Sequence, residues 1–335
     1  MRSTAFPASL ALVISNTLAS NSPRAPTDSG YSLKQSYEGE TFFNGFTFFT
    51  YEDPTAGAVN YVDKDTAFSN GLAGFTNGSP FIQFDNWSTL PQGGKRDSVR
   101  LQSVDSWNGG ILLFDVETMP YGLGTWPAFW SNGPDWPYGG ELDIIEGVND
   151  ETNNHATIHT YPGCTQDGTA PAIGEYTSSN DCSGLSGDNS GCGFKDANPN
   201  SYGKGLSESG GGVFATEWDK ETGVLKTWFF PRLDIPQDIL NQAPNPQNWG
   251  QPTAHFVSDT CDIAGTFENH TIIINTTFCG YYGKCLTFLA KSLTNLPAAG
   301  NNFPNGGLEA CNEYIRYPEN VKNNVWHINY IKVFE

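Results

Sequence analysis

Short β-prone runs, each fenced by glycine, proline or asparagine, recur along this chain and restrict its fold more than any other feature. Residues 46–51, 80–84, 98–103, 110–116 and 225–230 are such runs, and 326–330 alternates apolar with polar side chains as a half-buried strand requires. Helix-period patterns are scarce, the best being a short turn over 235–240. The 37 glycines, 21 prolines and 13% aromatic residues, against 16% charged ones, favour many strands and turns over helices. The expectation is an all-β fold built as a two-layer sandwich. No low-complexity linker and no internal repeat divides the chain, so residues 20–335 are read as one domain.

One strand-like stretch is acidic. In Gly139-Gly140-Glu141-Leu142-Asp143-Ile144-Ile145-Glu146-Gly147, alternation puts Glu141 and Asp143 on one face and Leu142 and Ile144 on the other. Glu146 has the wrong parity: a regular strand would send it into the core, where an unpaired carboxylate is costly. A β-bulge at Ile144-Ile145 would return it to the Glu141 face. Three acids on one surface raise at least one pKa. A carboxylate to attack an anomeric carbon and a protonated acid to serve the leaving oxygen are what glycoside cleavage needs, roughly 5–5.5 Å apart in a retaining mechanism. A solvated acidic edge strand would show the same spacing.

The preceding stretch, Gly124-Thr125-Trp126-Pro127-Ala128-Phe129-Trp130 through Trp136-Pro137-Tyr138, holds three tryptophans. Aromatic faces beside fixed polar groups make sugar-binding clefts. Core and cleft remain equally open for Trp126 and Trp130, whereas Trp136, among Pro134, Asp135 and Pro137, reads as an exposed loop residue. Together, Gly-Thr-Trp-Pro-Ala-Phe-Trp and Gly-Gly-Glu-Leu-Asp-Ile-Ile-Glu-Gly-Val-Asn resemble the fungal laminarinase-type endo-β-1,3(4)-glucanases of glycoside hydrolase family 16. The likeness extends to Val59-Asn60-Tyr61, Thr157-Ile158-His159-Thr160 and Thr277-Phe278-Cys279-Gly280. The resemblance implies a jelly-roll, concanavalin A-like sandwich with a concave substrate cleft. It also implies Glu141 as nucleophile, Glu146 as general acid/base and Asp143 as the residue that tunes them. Trp126, Trp130, Trp136 and His159 are candidate substrate-binding residues, with Asn60 and Arg100 suggested by the family-like segments around them. His159 lies on a strand candidate at 156–160, which antiparallel pairing would set beside the acids.

Arg2 followed by an apolar run over 5–14 and the small residues near Ala19 reads as a signal peptide over 1–19, and so as an extracellular, secreted protein. The apolar run is too short to span a bilayer. The formal charge of −19 makes nucleic acid and anionic membranes poor partners, and leaves a neutral β-glucan polysaccharide unaffected. A monomer is expected. The seven cysteines are read as mostly disulfides with one left over; proximity in sequence pairs Cys261 with Cys279 and Cys285 with Cys311. The resembled family often has a cysteine where this chain has Leu123. With no Cys-x-x-Cys or His-Glu-x-x-His, no metal site or cofactor is expected; a structural calcium is possible but not required by the sequence. Asn77, Asn86, Asn269 and Asn275 begin N-glycosylation triplets.

The function expected is a retaining endo-glycosidase cleaving β-1,3-glucan, with mixed β-1,3/1,4-glucan a further substrate. A glucan transglycosylase would use the same acids, and a non-catalytic lectin-like protein would share the sandwich but have no need of both Glu141 and Glu146.

Overall fold

The computed structural model describes Met1 and residues 30–178, 180–186, 189–257, 259–281 and 307–335. Two eight-stranded sheets dominate it, and every pairing within them is antiparallel. At the centre of the first lie Gly110–Thr118, Gly212–Asp219 and Val325–Phe334. The second runs, in spatial order, through Cys192–Lys195, His155–His159, Glu141–Glu146, Thr125–Asn132, His270–Phe278 and Arg100–Trp107.

The sheets are held face to face by the two-residue period of their strands. From the first sheet Leu112, Phe114, Val116, Phe214 and Trp218 point inward, and from the second Phe129, Leu142, Ile158, Ile272 and Ile274 meet them in one core. The rings of Phe114 and Phe129 stack across the layers with centroids 3.9 Å apart, and Trp107 meets Trp218 edge-on at 5.2 Å. The odd-numbered residues Ile111 and Leu113 face the other way, into a second apolar cluster with Val213, Ala215, Trp228 and Trp249. Burial on both faces explains why 111–114 is a continuous apolar run rather than an alternating one. The second sheet differs. Its outer face carries the acids and tryptophans, so its sequence is the more polar of the two.

Several expected strands appear with shifted ends: 80–84 as Ser79–Gln83, 225–230 as Val224–Pro231 and 326–330 as the first half of Val325–Phe334, whereas 46–51 is cut to Phe46–Phe48 and 98–103 is divided between Arg96–Ser98 and Arg100–Trp107 in different sheets. The turn expected at 235–240 is the short helix Gln237–Leu240. Four further short α-helices among the described residues, Lys64–Ser69, Gly203–Glu208, Ile263–Thr266 and Gly307–Tyr314, were not signalled by any period. The first is started by Asp63, whose carboxylate accepts from the Thr66 N–H at 2.9 Å.

The disulfide expectation is corrected. The bonds are Cys164–Cys261, Cys182–Cys192 and Cys279–Cys311. Sequence proximity misled because the partners are chosen by tertiary neighbours: the loop at Thr165 hydrogen-bonds to that at Thr260, which brings Cys164 to Cys261 across 97 residues. Cys279, just past its strand, is met by Cys311 on the helix Gly307–Tyr314. Cys285 and the expected signal peptide beyond Met1 lie outside the described residues.

Phe129 is fully buried and bridges both sheets. Phe129→Ala should cost about 3–5 kcal/mol in urea unfolding with an unchanged denaturant slope; a loss below about 1 kcal/mol would show that this stack does not join the layers.

Candidate active site

Glu141–Glu146 lies between Thr125–Asn132 and His155–His159, and its register is broken once on each side. Glu141 pairs with His159, Asp143 with Thr157 and Glu146 with His155, so Ile144 and Ile145 stand opposite Ala156 alone. On the other side Asp143 pairs with Trp130 and Ile145 with Phe129, leaving Ile144 as the extra residue. Ile144 and Ile145 are both buried in the core, and Glu146 emerges on the same side as Glu141 and Asp143. The bulge therefore sits at the two residues where the parity conflict required it.

The three acids line a cleft of about 600 Å³ whose floor is the outer face of the second sheet. Loss of hydration pushes all three carboxyl groups up to about 8. For Glu141 the neighbouring Asp143 raises it further, while the His159 ring opposes the rise. Like charges this close titrate as a set, and the set retains a proton at neutral pH. The His159 Nε2 atom lies 3.4 Å from Asp143 Oδ2 and 3.9 Å from Glu141 Oε1. Trp126 donates from its indole nitrogen to Glu146 Oε1 at 3.0 Å. His155, the register partner of Glu146, is pushed down to about 4 by burial and nearby Lys195, and so presents a neutral ring at neutral pH.

Most of the expected residues meet here. Trp126, Trp130, Trp136 and Arg100 all line the cleft. Trp130 is half-buried and its N–H is held by Asn275 Oδ1 at 2.8 Å; Asn275 in turn donates to the Tyr61 hydroxyl at 3.1 Å. Arg100 is buried, its guanidinium carbon 4.4 Å from the centre of the Phe49 ring and 5.0 Å from that of Trp130. Trp136 is half-buried rather than exposed, because Gly184 leaves room for its ring to lie against the neighbouring loop. Its buried indole N–H has no hydrogen-bond partner of good geometry, yet lies near enough to Glu141 to favour the ionised form.

Asn60 is the exception. It projects to solvent and donates to Asp97 Oδ1 at 2.6 Å, while its strand neighbour Tyr61, on the opposite face, reaches Asn275. The glycosylation triplet at Asn275 is also displaced from its expected role, since the carboxamide is buried and hydrogen-bonded to both neighbours. Sequence reasoning missed Tyr61, Asn275, Thr277 and Asp53. Asp53 Oδ2 accepts from Thr277 Oγ1 at 2.6 Å and from Thr55 Oγ1 at 2.7 Å, all three residues lining the cleft. Tyr61 and Thr277 stood in family-like segments, but their roles depend on contacts across more than 200 residues.

The site thus holds two glutamates separated by a buried aspartate, with indole and imidazole donors around them. Such a set can supply a nucleophile and a proton donor to one bond. Glu141, Asp143 and His159 also bring ligand atoms within 4.8 Å of one another, the one group of three among the described residues close enough to share a cation.

Comparison with known proteins agrees with this geometry. The chain is 37% identical over 314 residues to an endo-1,3(4)-beta-glucanase of Arthroderma benhamiae, an alignment covering 91% of this chain and 65% of that protein. Curated relatives run longer, and the chain spans between 48% and 69% of the lengths of three of them. Among solved structures it matches laminarinase 16A from Phanerochaete chrysosporium, with beta-glucans in donor and acceptor sites, at 36% identity and a TM-score of 0.81, covering 91% of this chain and 99% of that one. An elongating family 16 beta-1,3-glucosyltransferase matches with the same identity and TM-score, over 91% of this chain and 100% of that one. These neighbours agree with the jelly-roll sandwich expected. The model of XgeA-like catalytic domains matches residues 46–334, and the chain belongs to that branch of glycoside hydrolase family 16.

Proposed function

We propose that this protein is a secreted, retaining endo-β-1,3-glucanase that also accepts mixed β-1,3/1,4-linked glucan and works as a monomer. The observation that carries the mechanism is the bulge that brings Glu146 onto the face of Glu141. Glu141 attacks the anomeric carbon while Glu146 gives its proton to the departing glycosidic oxygen. Water, deprotonated by Glu146, then releases the sugar from the Glu141 ester and restores both groups. Asp143, buried between them and facing His159, keeps the shared proton off Glu141. Trp126, Trp130 and Trp136 offer indole surfaces along the cleft, with Arg100 fixed beside Trp130. This chemistry uses no cofactor, and calcium has no part in it. The disulfides support an oxidising, extracellular location, and no described helix is long and apolar enough to cross a membrane.

Transfer to a second sugar instead of water is the other reading, and the equal match to an elongating glucosyltransferase favours testing it. Product chromatography decides: chains longer than the substrate mark transfer, shorter ones alone mark hydrolysis. On hydrolysis NMR should show β-configured reducing ends first, and on transfer a newly formed β-linkage; early α-configured ends or α-linkages would exclude a retaining mechanism. Glu141→Gln should abolish turnover and leave glucan binding intact, whereas full activity in that variant would remove Glu141 from the nucleophile's role.

The raised acids also set a stability trend. A carboxyl group with an ordinary pKa near 4 when unfolded and about 8 when folded binds more protons in the native state between those values, so stability falls as pH rises through that window. Asp143→Asn should flatten the decline in Tm between pH 5 and pH 8. An unchanged slope would mean that Asp143 is ionised in the native protein throughout.

A further inference from the structure

A bulge frees backbone groups from the ladder, and those groups need other partners if they are buried. One side chain supplies both. The Asn154 carboxamide accepts from the Glu146 N–H at 3.0 Å through Oδ1, and donates to the Ile144 carbonyl at 2.7 Å through Nδ2. It thus spans the extra residue from one side to the other. Asn154 is 3% exposed, and its own backbone is fixed in turn: its N–H donates to Ser201 Oγ at 2.9 Å and its carbonyl accepts from the Asp196 N–H at 2.8 Å. Ser201 is itself tied to the Asn198 carbonyl at 2.7 Å. The carboxamide is therefore held before any substrate arrives, and it holds the acidic strand.

We propose that Asn154 is a positioning residue for the proton donor, locking the register slip that aims Glu146 at the face of Glu141. The inference rests on the glycosidase reading above. Without this clamp, the slip loses the one side chain that satisfies both buried backbone groups. The acidic strand can then relax toward regular pairing, whose parity turns Glu146 from the cleft. Glu141 and Asp143, which lie before the bulge and keep their pairing with His159 and Thr157, stay in place. The expected defect is thus confined to acid/base catalysis and spares the nucleophile.

A pair of substrates separates this role from general loss of structure. Cleavage of β-1,3-glucan needs a proton on the leaving oxygen. A dinitrophenyl β-glycoside of laminaribiose does not, since its leaving phenolate is stable; azide then attacks the glycosyl–Glu141 ester, forms the glycosyl azide and frees the carboxylate without a base. Asn154→Ala should lower kcat on β-1,3-glucan by about a hundredfold, and lower the azide-assisted rate on the dinitrophenyl substrate by no more than about threefold. Asn154→Asp, of nearly the same shape, keeps an acceptor for the Glu146 N–H but loses the donor to Ile144, so its loss should fall between wild type and Asn154→Ala on glucan. The Asp variant carries the test if the Ala variant does not fold. Equal losses on both substrates, or no loss on either, would overturn the positioning role while leaving the glycosidase assignment standing. A wild-type protein that cleaves neither substrate would instead remove the glycosidase reading, and the positioning role with it.

Discussion

The slip of one residue between Asp143 and Glu146 is the constraint on which the site depends. Side chains of a regular strand alternate, so two residues five apart face opposite ways. Here the sheet yields one position, two consecutive isoleucines enter the core, and the second glutamate returns to the cleft. The backbone cost is met locally by the Asn154 carboxamide, which is itself anchored to Ser201 and Asp196. This one irregularity thereby brings both glutamates of an acidic strand to the same face of the cleft, as the proposed mechanism needs.

The rest of the fold makes that irregularity tolerable and useful. The core behind it is dense with aromatic and aliphatic side chains from both sheets, so displaced isoleucines find apolar neighbours on every side. In front, the half-buried cleft withholds water from the acids and raises their affinity for protons, which is what a proton donor working near neutral pH requires. The donors around them act selectively. Trp126 points at Glu146, while His159 stands by Asp143 and Glu141.

Much of this was legible in the sequence because it follows from strand periodicity. Parity alone called for a bulge at Ile144-Ile145, and pairing of the next strand put His159 beside the acids, as Glu141 and His159 do pair. The sandwich followed from short runs and frequent turns. What could not be read was set by contacts between distant segments. Asn275 begins a glycosylation triplet, yet its carboxamide accepts from Trp130 and donates to Tyr61, which reaches it from a separate small sheet. Asn60 was placed one residue off the useful face for the same reason: nothing local says which side of Val59–Tyr61 meets the cleft. The disulfides show the limit most clearly, since loop neighbours rather than chain neighbours chose the partners.

The most direct test of the account is to trap the covalent intermediate. In Glu146→Gln, a dinitrophenyl laminaribioside carrying fluorine at the sugar's 2-position should form the glycosyl ester and fail to release it, because the base that activates water is gone and the fluorine slows its hydrolysis. Peptide mass spectrometry should then find one disaccharide ester, on Glu141. A label on Asp143, or product released without any covalent adduct, would contradict the claim that the bulge sets Glu141 and Glu146 opposite one another as nucleophile and acid.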